Sequence, residues 1–131
     1  VQVLPRLPWS ACLFVDLLLL ILCPHYSGKF NANWGSANCT VCPPGQVQSR
    51  TGASSCTACL NGTVAAFSGL TTCTACAAGT FAATNGLSFC TQCDIGYIAS
   101  ADGASACTAC TAGRFSDVRG QKDCQLCAAV R

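Results

Sequence analysis

Apolar positions fall into two regimes along the chain. The first is a run from Trp9 to Leu22, WSACLFVDLLLLIL, interrupted only by Asp16. Beyond Cys23 the apolar residues become isolated. Val47, Val64, Phe81, Ile98 and Phe115 each stand alone among small and polar neighbours, 17 residues apart. No 3.6-residue period runs through this second regime, because Gly, Thr and Cys interrupt it. A lone β-branched or aromatic residue between glycines predicts a short strand with one side chain turned inward. Glycines at two fixed points of each period predict turns that need positive φ or a close backbone approach.

The period extends to every other column. C-x-x-C pairs begin at Cys39, Cys56, Cys73, Cys90, Cys107 and Cys124, always 17 residues apart. Three positions after the second Cys stands Gly45, Gly62, Gly79, Gly96 or Gly113, and seven further on stands Gly52, Gly69, Gly86, Gly103 or Gly120. Gly28, Phe30, Gly35 and Cys39 repeat the spacing of Gly79, Phe81, Gly86 and Cys90. They mark a leading half-repeat from Cys23, with Leu20 in place of the first Cys. The expected organisation is an apolar segment, 1–22, then a tandem array, 23–131. The array comprises a half-repeat 23–38, full repeats 39–55, 56–72, 73–89, 90–106 and 107–123, and a truncated repeat 124–131. A 17-residue unit cannot bury a core alone, so each rung must be covered by its neighbour. The predicted fold is a small disulfide-rich ladder or solenoid of β-turn repeats with little or no helix.

Composition bears on the chemistry of the cysteines. Fourteen of 131 residues are Cys and 9% are charged, with a net charge of +2. Such Cys density in a short chain marks a covalently stapled scaffold. Seven scattered Lys and Arg make no basic stripe, which argues against nucleic acid. C-x2-C-x13-C-x2-C is close to zinc-ribbon spacing. The uniform period, however, groups no pairs two by two. Redox catalysis needs one reactive C-x-x-C at a helix N-terminus, whereas here six equivalent pairs sit in Gly- and Thr-rich loops. Structural disulfides in an oxidising compartment are the reading, without metal or cofactor. Counting leaves connectivity open. Translational symmetry wires each rung alike, and the simplest scheme joins the second Cys of one pair to the first of the next. That gives Cys42–Cys56, Cys59–Cys73, Cys76–Cys90, Cys93–Cys107 and Cys110–Cys124, with Cys23–Cys39 from the half-repeat. Cys12 and Cys127 remain, and could form an intermolecular link.

The unit C-x-x-C-x-x-G-x-(V/F/I)-x8-C resembles the ephrin-receptor-like cysteine-rich repeats of extracellular proteins. Its Cys-x-x-Gly-x-Phe-to-Cys half is similar to the first submodule of tumour necrosis factor receptor cysteine-rich domains. The resemblance covers about residues 23–131 and implies an extracellular, disulfide-bonded repeat. It also implies pairing of the Cys before each Gly with the next Cys along. The rigid period and the near absence of charge depart from the family pattern.

Function follows only coarsely from these features. His25 is the single histidine, and Asp94 and Asp102 lie on different turns. With no paired carboxylates, phosphate loop or attached catalytic domain, the chain reads as a non-enzyme. Residues 51–93 carry no charge, so their surface needs cover, by glycans or by self-association. Asn61-Gly62-Thr63 and Asn38-Cys39-Thr40 are N-glycosylation sequons. Residues 9–22 read either as a signal peptide remnant or as an assembly arm; membrane association, if any, would run through them. The absent Met suggests a processed or partial chain. Two functions fit: a secreted structural glycoprotein that polymerises head to tail into a filament or coat, or a ligand-binding ectodomain of a cell-surface receptor. Among the full repeats, only the fifth, with Arg114, Asp117, Arg119, Lys122 and Asp123, stands out in charge, and the reading is a solvated terminal rung.

Overall fold

A computed structural model of the chain describes residues 27–33, 35–36 and 38–129. The apolar segment, Cys12 and Cys23 lie outside the described residues. Within them the chain is a ladder of six two-stranded antiparallel hairpins and contains no helix. The strands are two residues each: β1 Lys29–Phe30, β2 Thr40–Val41, β3 Gln46–Val47, β4 Thr57–Ala58, β5 Thr63–Val64, β6 Thr74–Ala75, β7 Thr80–Phe81, β8 Thr91–Gln92, β9 Tyr97–Ile98, β10 Thr108–Ala109, β11 Arg114–Phe115 and β12 Gln125–Leu126. Each odd strand pairs with the next even one, in a register such as Val47↔Thr57 and Val64↔Thr74. The structural rung therefore straddles the sequence repeat. It begins at the second Cys of one C-x-x-C pair and ends just before the second Cys of the next, as in 42–58.

Each rung opens with a tight turn. The carbonyl of Pro43 accepts the N–H of Gln46, and Leu60/Thr63, Ala77/Thr80, Asp94/Tyr97 and Thr111/Arg114 do the same at 2.9–3.1 Å. The third residue of each turn is glycine, with φ between +81° and +89°. A positive φ there is the requirement of a type II turn, and Pro44 precedes Gly45 where such turns favour proline. Thr63 and Thr80 tighten their turns further, each hydroxyl donating back to the carbonyl three residues earlier.

Main-chain hydrogen bonds join the rungs, and they repeat at every step. The turn glycine N–H donates to the carbonyl just past the odd strand of the next rung, as in Gly45 to Ala65, Gly62 to Ala82 and Gly79 to Ala99. The residue at that place donates one rung further along: Gln48 to Leu70, Ala65 to Leu87, Ala82 to Ala104. In return, Cys59 N–H donates to Gly45 C=O and Gly69 N–H to Cys42 C=O, and these bonds too recur. Little room is left for side chains at the centre. Ala65, Ala82, Ala99 and Ser116 line it, all buried, beside the buried Cys42, Cys59, Cys76 and Cys93. Val64 packs on Cys76 and Ala82, with Leu87 and Cys90 at the margin.

Contact also reaches past the adjacent rung, to the second one along. A Cβ built on Gly28, Gly45, Gly62 or Gly79 would lie 1.9–2.2 Å from the carbonyl oxygen of Gly69, Gly86, Gly103 or Gly120. The first glycine column thus meets the second column two rungs on, backbone against backbone. At Gly96 and Gly113 the same position is open, with nothing within 4 Å. This pair of environments yields a clean comparison. Gly113→Ala should cost about 1–2 kcal/mol, the strain of an L-residue at positive φ. Gly79→Ala carries that strain and a backbone collision, adding about 1–3 kcal/mol. Thermal unfolding under non-reducing conditions should give the lower midpoint for Gly79→Ala; equal midpoints would refute the close approach.

Candidate functional site

The disulfide column and one surface groove hold the chemistry of the described residues. Cys42–Cys56, Cys59–Cys73, Cys76–Cys90, Cys93–Cys107 and Cys110–Cys124 are bonded, each across 14 residues, with Cα atoms 5.7–5.8 Å apart. Cys39 is disulfide-bonded as well, while Cys23, its expected partner, lies outside the described residues. Each such loop is worth about 3 kcal/mol in the chain-entropy model. Cys127 is a free, exposed thiol. Burial of the column declines toward it: Cys93 is 0% exposed, Cys110 half-buried and Cys127 exposed. Among the described residues no group of three His, Cys, Asp or Glu side chains is placed to hold a metal.

In three rungs the residue before the second glycine reaches back to the previous rung's turn. Asn85 Oδ1 accepts the Asn61 N–H and Asp102 Oδ1 accepts the Ala78 N–H, both at 2.8 Å. Asp102 is therefore a turn clamp. Asn61 is exposed at the tip of its turn, and Asn38 is exposed too. At the next rung the same column holds Arg119, whose Nε donates to Asp94 Oδ1 at 3.0 Å. The fifth repeat's charges read from sequence as merely solvated, yet Arg119 is paired across rungs. The offset that brings column thirteen of one repeat onto the turn of the preceding one is invisible in the spacing alone.

Asp94 and Arg119 border an open groove of about 620 Å³, lined by Phe81, Thr91, Gln92, Asp94, Tyr97, Cys107 and Arg119. The Asp94 carboxylate is held below the usual aspartate value, first by the Ile95 N–H at 3.0 Å and then by the Arg119 hydrogen bond and charge. Both partners of the ion pair are 68% exposed, so it orders the groove rim more than it stabilises the fold. Gln92 lies against the backbone of Gly120, where a Cβ would meet its Nε2 at 3.4 Å. No helix of the described residues is long and apolar enough to cross a membrane.

Residues 28–69 match the family model described as tyrosine-protein kinase ephrin type A/B receptor-like. No curated protein matches the chain.

Carboxyl NMR should place the Asp94 midpoint below the ordinary value of 3.8. Arg119→Ala should raise that midpoint without fully restoring it, since the Ile95 amide stays. The stabilising contribution of this carboxylate is present above the unfolded value and is lost as pH falls through the depressed one. A midpoint at or above 3.8 in the parent chain would contradict the geometry.

Proposed function

We propose that the chain, whose residues 28–69 match the ephrin-receptor-like model, is a non-catalytic extracellular structural glycoprotein: a disulfide-laddered rod that associates head to tail into a filament or coat. The compartment rests on the disulfide column, which persists in oxidising surroundings.

The association is supported by the uncharged surface of residues 51–93, which needs cover. A head-to-tail joint would continue the recurring main-chain pattern, with the Gly113 and Ser116 N–H groups and the Cys110 carbonyl facing the first hairpin of the next chain. The first hairpin carries the complementary set. Asn31 C=O would accept from Gly113, Ser36 C=O from Ser116, and Gly35 N–H would donate to Cys110. Gly96 and Gly35 both have open space over their Cα atoms, so the two could meet as Gly79 and Gly120 do. A heterologous contact of this kind does not close on itself and so propagates. Residues 9–22 would add apolar area to the joint, and a Cys12–Cys127 bond would lock it.

Glycans cover the uncharged middle in this reading. Leu60, Phe67 and Phe89 are all exposed there, and Asn61 follows Leu60 on an exposed turn. Intact-glycopeptide mass spectrometry of natively secreted protein should find Asn61 modified, and Asn38 less so, because Cys occupies the middle of its sequon. An unmodified Asn61 would remove that cover.

Negative-stain microscopy and light scattering of oxidised protein should show elongated polymers. Gly96→Asn is the decisive variant. Asn tolerates positive φ, and the site is open in a single chain. The variant should keep the parent melting midpoint yet remain monomeric. Deleting residues 1–22 should likewise leave a folded chain that no longer polymerises. A parent chain that stays monomeric at high concentration would overturn the assembly reading.

A further inference from the structure

The rungs are nearly interchangeable, so places where they differ are informative. Four columns change character between Gln92 and Arg119. The third column, Ala58, Ala75 and Ala109 in neighbouring repeats, holds Gln92. The fifth, Pro43, Leu60, Ala77 and Thr111 elsewhere, holds Asp94. The eighth, Gln46, Thr63, Thr80 and Arg114 elsewhere, holds its single aromatic, Tyr97. The thirteenth, Thr51, Ser68, Asn85 and Asp102 elsewhere, holds a cation, Arg119. These residues come from three successive rungs, and all four line the same groove, with Phe81 beside them.

We propose that this groove is a binding site for a neutral saccharide. Its charge sums to zero, because the ionised Asp94 faces the permanently charged Arg119. An anionic ligand would meet the carboxylate, and a cationic one the guanidinium. A hydroxyl-rich neutral ligand suits both, since each hydroxyl donates and accepts. The unpaired groups match that need. Asp94 Oδ1 takes the Ile95 and Arg119 hydrogen bonds, which leaves Oδ2 as an acceptor. Arg119 uses only Nε, leaving its Nη donors. The Gln92 amide and the Tyr97 hydroxyl have no hydrogen-bond partner among the described residues. The ion pair orients Asp94 and Arg119 toward each other, and Gln92 lies beside Gly120. Tyr97, 47% exposed, and the half-buried Phe81 offer aromatic surface to the C–H face of a sugar ring. The open groove of about 620 Å³ takes one sugar ring against its aromatic faces. The site lies within one chain, so binding does not require the head-to-tail association.

The test uses the oxidised full chain on an array of neutral, sulfated and phosphorylated oligosaccharides, followed by ¹H–¹⁵N NMR titration with the strongest neutral binder. Amide shifts should cluster at Gln92, Asp94, Ile95, Tyr97 and Arg119. Tyr97→Thr and Arg119→Ser each install a residue that other rungs already carry, so the fold should be unaffected. Each should weaken binding about tenfold or more, the loss of one good contact, at an unchanged melting midpoint. A blank array, preference for the sulfated or phosphorylated forms, shifts confined to other rungs, or variants that bind like the parent would each overturn the proposal. So would capture of unglycosylated peptides at this groove in preference to sugars.

Discussion

Backbone pressed on backbone is the constraint from which the rest of the ladder follows. The Cα atoms of Gly28, Gly45, Gly62 and Gly79 face a glycine carbonyl two rungs on, with no space for a Cβ between them. That approach sets the rung spacing, and the spacing lets one set of main-chain hydrogen bonds recur unchanged. It also explains why the centre is lined by Ala and Cys rather than by large apolar residues. A core this thin excludes little water. Covalent loops therefore replace much of what burial supplies in a larger domain.

Much of this was legible in the sequence, because a strict period forces equivalent residues into equivalent places. The columns of Gly, Cys and lone apolar residues announce hairpin rungs without helix, and the described residues form them. The period says nothing, however, about rotation and rise per rung. It fixes which columns exist and leaves open which columns meet. The approach of Gly62 to Gly103 could not be read from spacing, since the first glycine column might have faced its own rung, the next or the one after. The same gap hid the Asp94–Arg119 pair. Reading Arg119 as a solvated charge was reasonable for a residue 25 positions away in a different column. A usable signal did exist: four columns depart from the repeat within one stretch. Only the inter-rung offset turns those departures into one surface.

Division of labour between main chain and side chain gives the scaffold its latitude. Glycine, cysteine and the small central residues are constrained at every rung, while the outer columns carry almost no structural duty. The turn clamps illustrate this. Asn85 and Asp102 accept the same kind of N–H with different side chains, and Arg119 in that column serves another purpose at no visible cost to the ladder. A groove can therefore be written onto one stretch of the rod without disturbing its neighbours.

The disulfide wiring has a mechanical consequence. Starting from Cys42, the shortest covalent route crosses to Cys56, walks two intervening residues to Cys59, and crosses again. Each period thus contributes one bridge of 5.7–5.8 Å between Cα atoms and one C-x-x-C step of about 10–11 Å at full stretch. Pulled from its ends, even a fully melted array could lengthen to only about 16–17 Å per repeat, against roughly 56–61 Å for 17 unbridged residues. Tension would strip hydrogen bonds, but the covalent path caps the extension of the oxidised chain at that length, and reduction removes the cap.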